Sequence, residues 1–182
     1  MHNPTENQLR DVSIPMNALP KSFILISMVL SFAPVIIHVL RWGYNGDSQS
    51  DLHLLGFVLV VALLVLHEVT HGVGWIIFGR VPVNQIRFGF ALKTMTPYAH
   101  AQTAMLVTGY RIGAVLPLII TGIVPAIIGI VTGQAWLTVA GAVMIAGASG
   151  DLVVLWAIRD VPADALVIDH PTNAGCYVVE AA

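Results

Sequence analysis

His67-Glu68-Val69-Thr70-His71 stands inside an apolar run, and that setting restricts the possible folds more than any other feature of the chain. The uncharged residues leading into it, Leu54 to Leu66, number 13. A helix needs about 20 residues to cross a bilayer core, so this run spans only if it continues through the motif to Phe78. The motif then lies within a membrane helix. A charged side chain at mid-membrane costs on the order of 2.5–3.5 kcal/mol on insertion scales, so an intramembrane glutamate flanked by histidines reads as a functional site. The competing reading is a structural His/Glu hydrogen-bond cluster between helices.

The spacing carries specific chemistry. Histidines at i and i+4 project from one helix face, one turn apart, and can hold one metal ion together. Glu68, beside the first of them, lies where it can take a proton from a water activated by that metal. The chain has 7 His, and its glutamates are Glu6, Glu68 and Glu180. Random placement of those residues yields roughly 0.004 such motifs, so chance is a poor explanation.

Composition agrees with the membrane setting. The 182 residues suggest one domain. They are 57% hydrophobic and only 10% charged, against about a quarter charged in a soluble domain, and mean hydropathy is +0.82. The net charge of -2 and the lack of a basic cluster exclude nucleic acid as an expected partner. The single cysteine, Cys176, excludes an internal disulfide and a cysteine-rich metal site.

Hydropathy divides the chain into residues 1–21 as a loose N-terminal tail, 22–158 as a four-span membrane domain, and 159–182 as a cytoplasmic C-terminal tail. Ser22 to Leu40 is the first span. It is longer than a signal-peptide core, and no small-x-small cleavage site follows. His38 near its end is expected at the interface. Arg41 to Asp51 is a polar loop, and the second span carries the motif. Ile112 to Val131 and Ala135 to Ile158 are the third and fourth spans, joined by a short turn at Thr132 to Gln134. Gly122, Gly129 and Gly133, then Ala142, Ala146 and Gly150, supply small positions for close helix contact. Between the second and third spans, Ile86, Phe88, Phe90 and Leu92 alternate with Arg87, Gly89, Ala91 and Lys93. Period two reads as a strand, with a return along Thr94 to Ala101 limited to an edge by Pro97. His100 lies there and is expected to serve polar packing. The predicted fold class is an all-α membrane protein: a four-transmembrane-helix bundle with a short β-hairpin or loop insertion between the second and third spans.

Four spans put both termini on one side. Of the 8 Lys and Arg, only Arg41 falls on the opposite side. The positive-inside rule therefore places both termini and the long loop in the cytoplasm of a multi-pass protein, in the cell membrane by expectation. In this topology His67 lies 13 residues into the second span and Asp151 16 residues into the fourth, both counted from the outer edge. At about 1.5 Å per residue both sit roughly 20–24 Å deep in a core about 30 Å thick. Two His and one carboxylate plus water form a common catalytic zinc set. Asp151 is therefore the expected third ligand beside His67 and His71. Asp169, on a tail able to fold back, is the competing carboxylate.

With these residues in view, the chain resembles the small integral-membrane putative zincin peptidases, which look like distant relatives of site-2 proteases. The resemblance covers roughly residues 50 to 180. It rests on His67-Glu68-Val69-Thr70-His71, Thr96-Pro97-Tyr98-Ala99-His100, Tyr110-Arg111 leading to Pro117, Gly150-Asp151-Leu152 and Asp169-His170-Pro171. It implies a zinc-dependent intramembrane peptidase with His67 and His71 as ligands and Glu68 as catalytic residue. The substrate would be a membrane protein or peptide. Site-2 proteases carry their ligand aspartate before a glycine within a longer pattern; here the order is Gly150-Asp151 and that pattern is absent. Two other classes remain open: a non-catalytic metal-binding membrane protein (an inactive protease homologue) and a small metal transporter.

Overall fold

The computed structural model describes residues 8–15, 18, 20–43, 50–92 and 96–180, with backbone alone over 50–55. Most of the expected polar loop at Arg41 to Asp51 lies outside these residues, as does the hairpin tip from Lys93. In chain order the elements are β1 (Leu9–Asp11), α1 (Lys21–Trp42), α2 (Ser50–Ile77), β2 (Ile86–Ala91), β3 (Thr96–Ala101), β4 (Met105–Leu106), α3 (Val107–Pro117), α4 (Val124–Thr132), α5 (Ala135–Gly147), α6 (Ser149–Ala157), β5 (Leu166–Asp169) and β6 (Cys176–Val179).

The protein is mostly helical, with small antiparallel sheets. Among the described residues, four helical stretches are long and apolar enough to cross a membrane: Lys21–Trp42, Gly56–Ile77, Val107–Thr132 and Ala135–Ala157. These match the predicted spans, the third beginning five residues earlier than expected. The third is not one regular helix. Pro125 has no N–H to offer the carbonyl four residues back, so the α ladder cannot run through unbroken. A π-helical turn, Leu118–Ile123, absorbs the mismatch, and Val124 N–H reaches the Ile119 carbonyl five residues back. Gly133, at φ 75°, closes α4 in the left-handed conformation that glycine adopts without strain.

Contacts divide the chain into two units. The boundary falls between His67 and Glu68, within the unbroken helix α2. One unit comprises Lys21–His67 and Pro117–Ser149. Here α1 and α4 both pack on α5. A Cβ on Gly141 would come 2.5 Å from the Ala126 nitrogen, and one on Gly129 would come 2.4 Å from Thr138. Close approach therefore depends on these glycines. A Cβ on Gly150, in contrast, would meet nothing within 4 Å. The four-residue register expected through Ala142, Ala146 and Gly150 is interrupted at Ala148, between α5 and α6. His38 is buried, and its Nδ1 lies 3.0 Å from the Thr138 hydroxyl.

The other unit comprises Met1–Pro20, Glu68–Leu116 and Gly150–Ala182. Its core is Trp75, Tyr110, Met105, Ile158, Val167 and their neighbours. The predicted hairpin is present, β2 against β3, with Ile86 opposite Ala101 and Phe90 opposite Pro97. The tails are more ordered than expected. Strands from both join β4 in an antiparallel sheet of order β1-β6-β5-β4. Helix α2 ends where Val81 N–H reaches back to the Trp75 carbonyl, with Arg80 held at φ 55°. The Arg111 guanidinium donates to the carbonyls of Ile158 and Val161, at the end of α6.

Candidate metal centre

The motif lies on α2 as predicted, with His67 and His71 both 7% exposed. Each imidazole is oriented through its Nδ1. His71 Nδ1 lies 2.9 Å from the Gly113 carbonyl oxygen. A carbonyl only accepts, so Nδ1 carries a proton, and in the neutral imidazole Nε2 presents a lone pair. The carbonyl can reach because α2 and α3 meet at glycines: a Cβ on Gly74 would come 2.7 Å from the Gly113 Cα. His67 Nδ1 lies 3.3 Å from the Thr121 hydroxyl. That hydroxyl donates its own proton to the Pro117 carbonyl at 2.8 Å, so towards His67 it accepts. Thr121 sits in the π-helical turn. The sequence does not reveal either acceptor, since one is a backbone carbonyl and the other depends on an irregular helix.

Asp151 opens α6 and comes to the same place. Its Oδ1 is 3.2 Å from His71 Nε2. One ligand atom from each of His67, His71 and Asp151 lies within 4.8 Å of the others, a group that could hold a metal ion. The donor set fits zinc. Ligands about 2.0–2.2 Å from a tetrahedral centre stand about 3.3 Å apart, close to the His71–Asp151 separation. In the neutral imidazole with its proton on Nδ1, Nε2 and the carboxylate oxygen would face each other as two lone-pair bearers. A cation between them would remove that repulsion. Glu68 follows His67 on α2 and is half-buried.

The competing carboxylate, Asp169, is buried elsewhere. It is bound by His100 Nδ1 at 2.7 Å and by the Tyr110 hydroxyl at 2.7 Å. His100 thus has the polar-packing partner expected of it. Cys176, opposite Asp169 in the sheet, is held away from ionisation: burial pushes its thiol up to about 12, with the Asp169 charge adding to the effect.

No curated protein and no solved structure matches the chain. A family model described as putative zincin peptidase matches residues 60–166. That stretch holds the whole His67, His71 and Asp151 group together with Glu68, and it exceeds half of the chain. The protein therefore belongs to the putative zincin peptidase family.

Proposed function

We propose that this protein is a zinc peptidase of the site-2 type, hydrolysing peptide bonds of membrane protein substrates within the bilayer. The observation that carries the reading is the approach of Asp151 to His71 from a separate apolar helix, beside a His-Glu-x-x-His motif on its own. His67, His71 and Asp151 are the ligands. Zinc held there supplies Lewis acidity, making a water acidic near neutral pH and polarising a carbonyl. Glu68 accepts a proton from the attacking water and returns it to the leaving amine. The Gly113 carbonyl and the Thr121 hydroxyl keep the two imidazoles turned towards the ion.

Exposed apolar residues along α1 and α2, such as Leu25, Phe32, Leu40, Val65 and Val69, support a lipid surround. The distribution of Lys and Arg favours cytoplasmic termini and entry of water from that side. A substrate helix hides its peptide bonds and must unwind to be cut. The β2–β3 hairpin forms a sheet of two strands, and pairing of an extended substrate segment along its edge presents such bonds. Proline substitutions in that hairpin are expected to abolish cleavage; intact cleavage would remove it from the mechanism.

The first test is the metal content of detergent-solubilised protein. Wild type is expected to hold about one zinc per chain, with His67→Ala and Asp151→Ala both losing it. Zinc lost only in His67→Ala would remove Asp151 from the ligand set. In Glu68→Gln the zinc is expected to remain while cleavage falls about a hundred- to ten-thousand-fold. Zinc flux into vesicles without cleavage would instead favour a transporter.

A further inference from the structure

Asp169 is not a member of the metal cluster, yet its two carboxylate oxygens serve different elements. Oδ2 accepts from His100 Nδ1 at 2.7 Å and lies 3.4 Å from the Ala101 N–H, both on β3. Oδ1 accepts from the Tyr110 hydroxyl at 2.7 Å, and the Gly175 carbonyl at 2.9 Å shares that proton. Tyr110 is 2% exposed, and its ring lies parallel to Trp75, with centroids 5.8 Å apart and planes 2° apart. Trp75 stacks in turn on His71 at 5.5 Å and 21°. Gly113 backs the indole so closely that a Cβ there would come 2.3 Å from Trp75 Cδ1. Displacement of Tyr110 therefore passes to Trp75, and Trp75 has little room to yield except against His71.

From this chain of contacts we infer that Asp169 is a positioning residue for the metal centre, coupling the β2–β3 hairpin to the orientation of the His71 ring. The inference rests on the reading of His71 as a metal ligand. It goes beyond that reading by assigning regulation: a segment that displaces the hairpin changes metal affinity, and by linkage the bound metal restrains the hairpin. Asp169 is 9% exposed, so water does not readily replace either bond when a partner is removed.

The test compares detergent-solubilised wild type, Asp169→Asn, Tyr110→Phe and Glu180→Gln. Zinc affinity is read by competition with a chromophoric chelator, the cobalt-substituted protein by its absorption bands, and the metal-free protein by its thermal midpoint. Asn cannot accept from Tyr110 and from the His100 and Ala101 donors together, and Phe removes only the Tyr110 bond. Both variants are expected to weaken zinc about tenfold and to shift the cobalt bands. Glu180→Gln breaks the exposed Arg10–Glu180 pair on the same sheet and is expected to leave both readings unchanged. A lower midpoint with unchanged zinc affinity and unchanged cobalt bands would make the role structural and overturn the inference. If Asp169→Asn does not fold, Tyr110→Phe decides alone. Wild type without zinc would overturn the metal reading and this inference with it, whereas tight zinc binding that is equal in all variants would overturn this inference alone.

Discussion

Thr121 shows how much one hydroxyl can decide. Its proton goes to Pro117 and its lone pair faces His67, which fixes the side of the imidazole offered to a metal. Thr121→Val keeps the shape and removes the acceptor. It is expected to weaken zinc about tenfold or more with little change in secondary structure, checked by chelator competition beside circular dichroism. Cys176 gives a second residue-scale outcome. Its thiol is buried and pushed up to about 12, against about 8.5 when unfolded. The folded state holds the proton more tightly, so this group's contribution is constant below about 8.5 and is lost as pH rises from there. At pH 8 an alkylating reagent is expected to label the native protein slowly and the denatured protein rapidly. Fast native labelling would contradict the burial.

Helix α2 meets α3 through Gly74 and Gly113, and that crossing delivers the Gly113 carbonyl to His71. Gly113→Ala drives a methyl group into Trp75. It is expected to cost about 1–3 kcal/mol and to weaken zinc, read as a lower thermal midpoint and a poorer chelator competition. Gly147→Ala is the matched control, since a Cβ there meets nothing within 4 Å; its zinc affinity is expected to equal wild type. Elements that repeat over many residues were legible beforehand. The spans follow from apolar length, and the hairpin from period two over Ile86 to Ala91. The π-helical turn was not, because Pro125 announces a break without saying how the ladder closes around it.

At the scale of the molecule, the grouping of His67, His71 and Asp151 was legible by depth arithmetic. The motif fixes one helix, Asp151 is the one charge in the fourth span, and both positions count to the same level. The terminal sheet was hidden for the opposite reason. Its strands run two to four residues, too short for periodicity, and Leu9 pairs with Val179, 170 residues away in sequence. The partner of His38, Thr138, was not legible because it lies 100 residues away in sequence. The proposed orientation can be read in right-side-out vesicles, with cysteines introduced at Gln134 and Asp164. A membrane-impermeant thiol reagent is expected to label the first and not the second; the reverse pattern would invert the topology.

Strand β6 lies between β1 and β5 in its sheet. On the ribosome, β1 is made before α1 to α6 and its partner β6 after them. The edge of β1 therefore waits unpaired while every membrane helix is synthesised. Asp169 and its hold on Tyr110 also arrive after the fourth span is complete. The support that Asp169 gives Tyr110 is therefore added only after the helices that carry His67, His71 and Asp151 have been made.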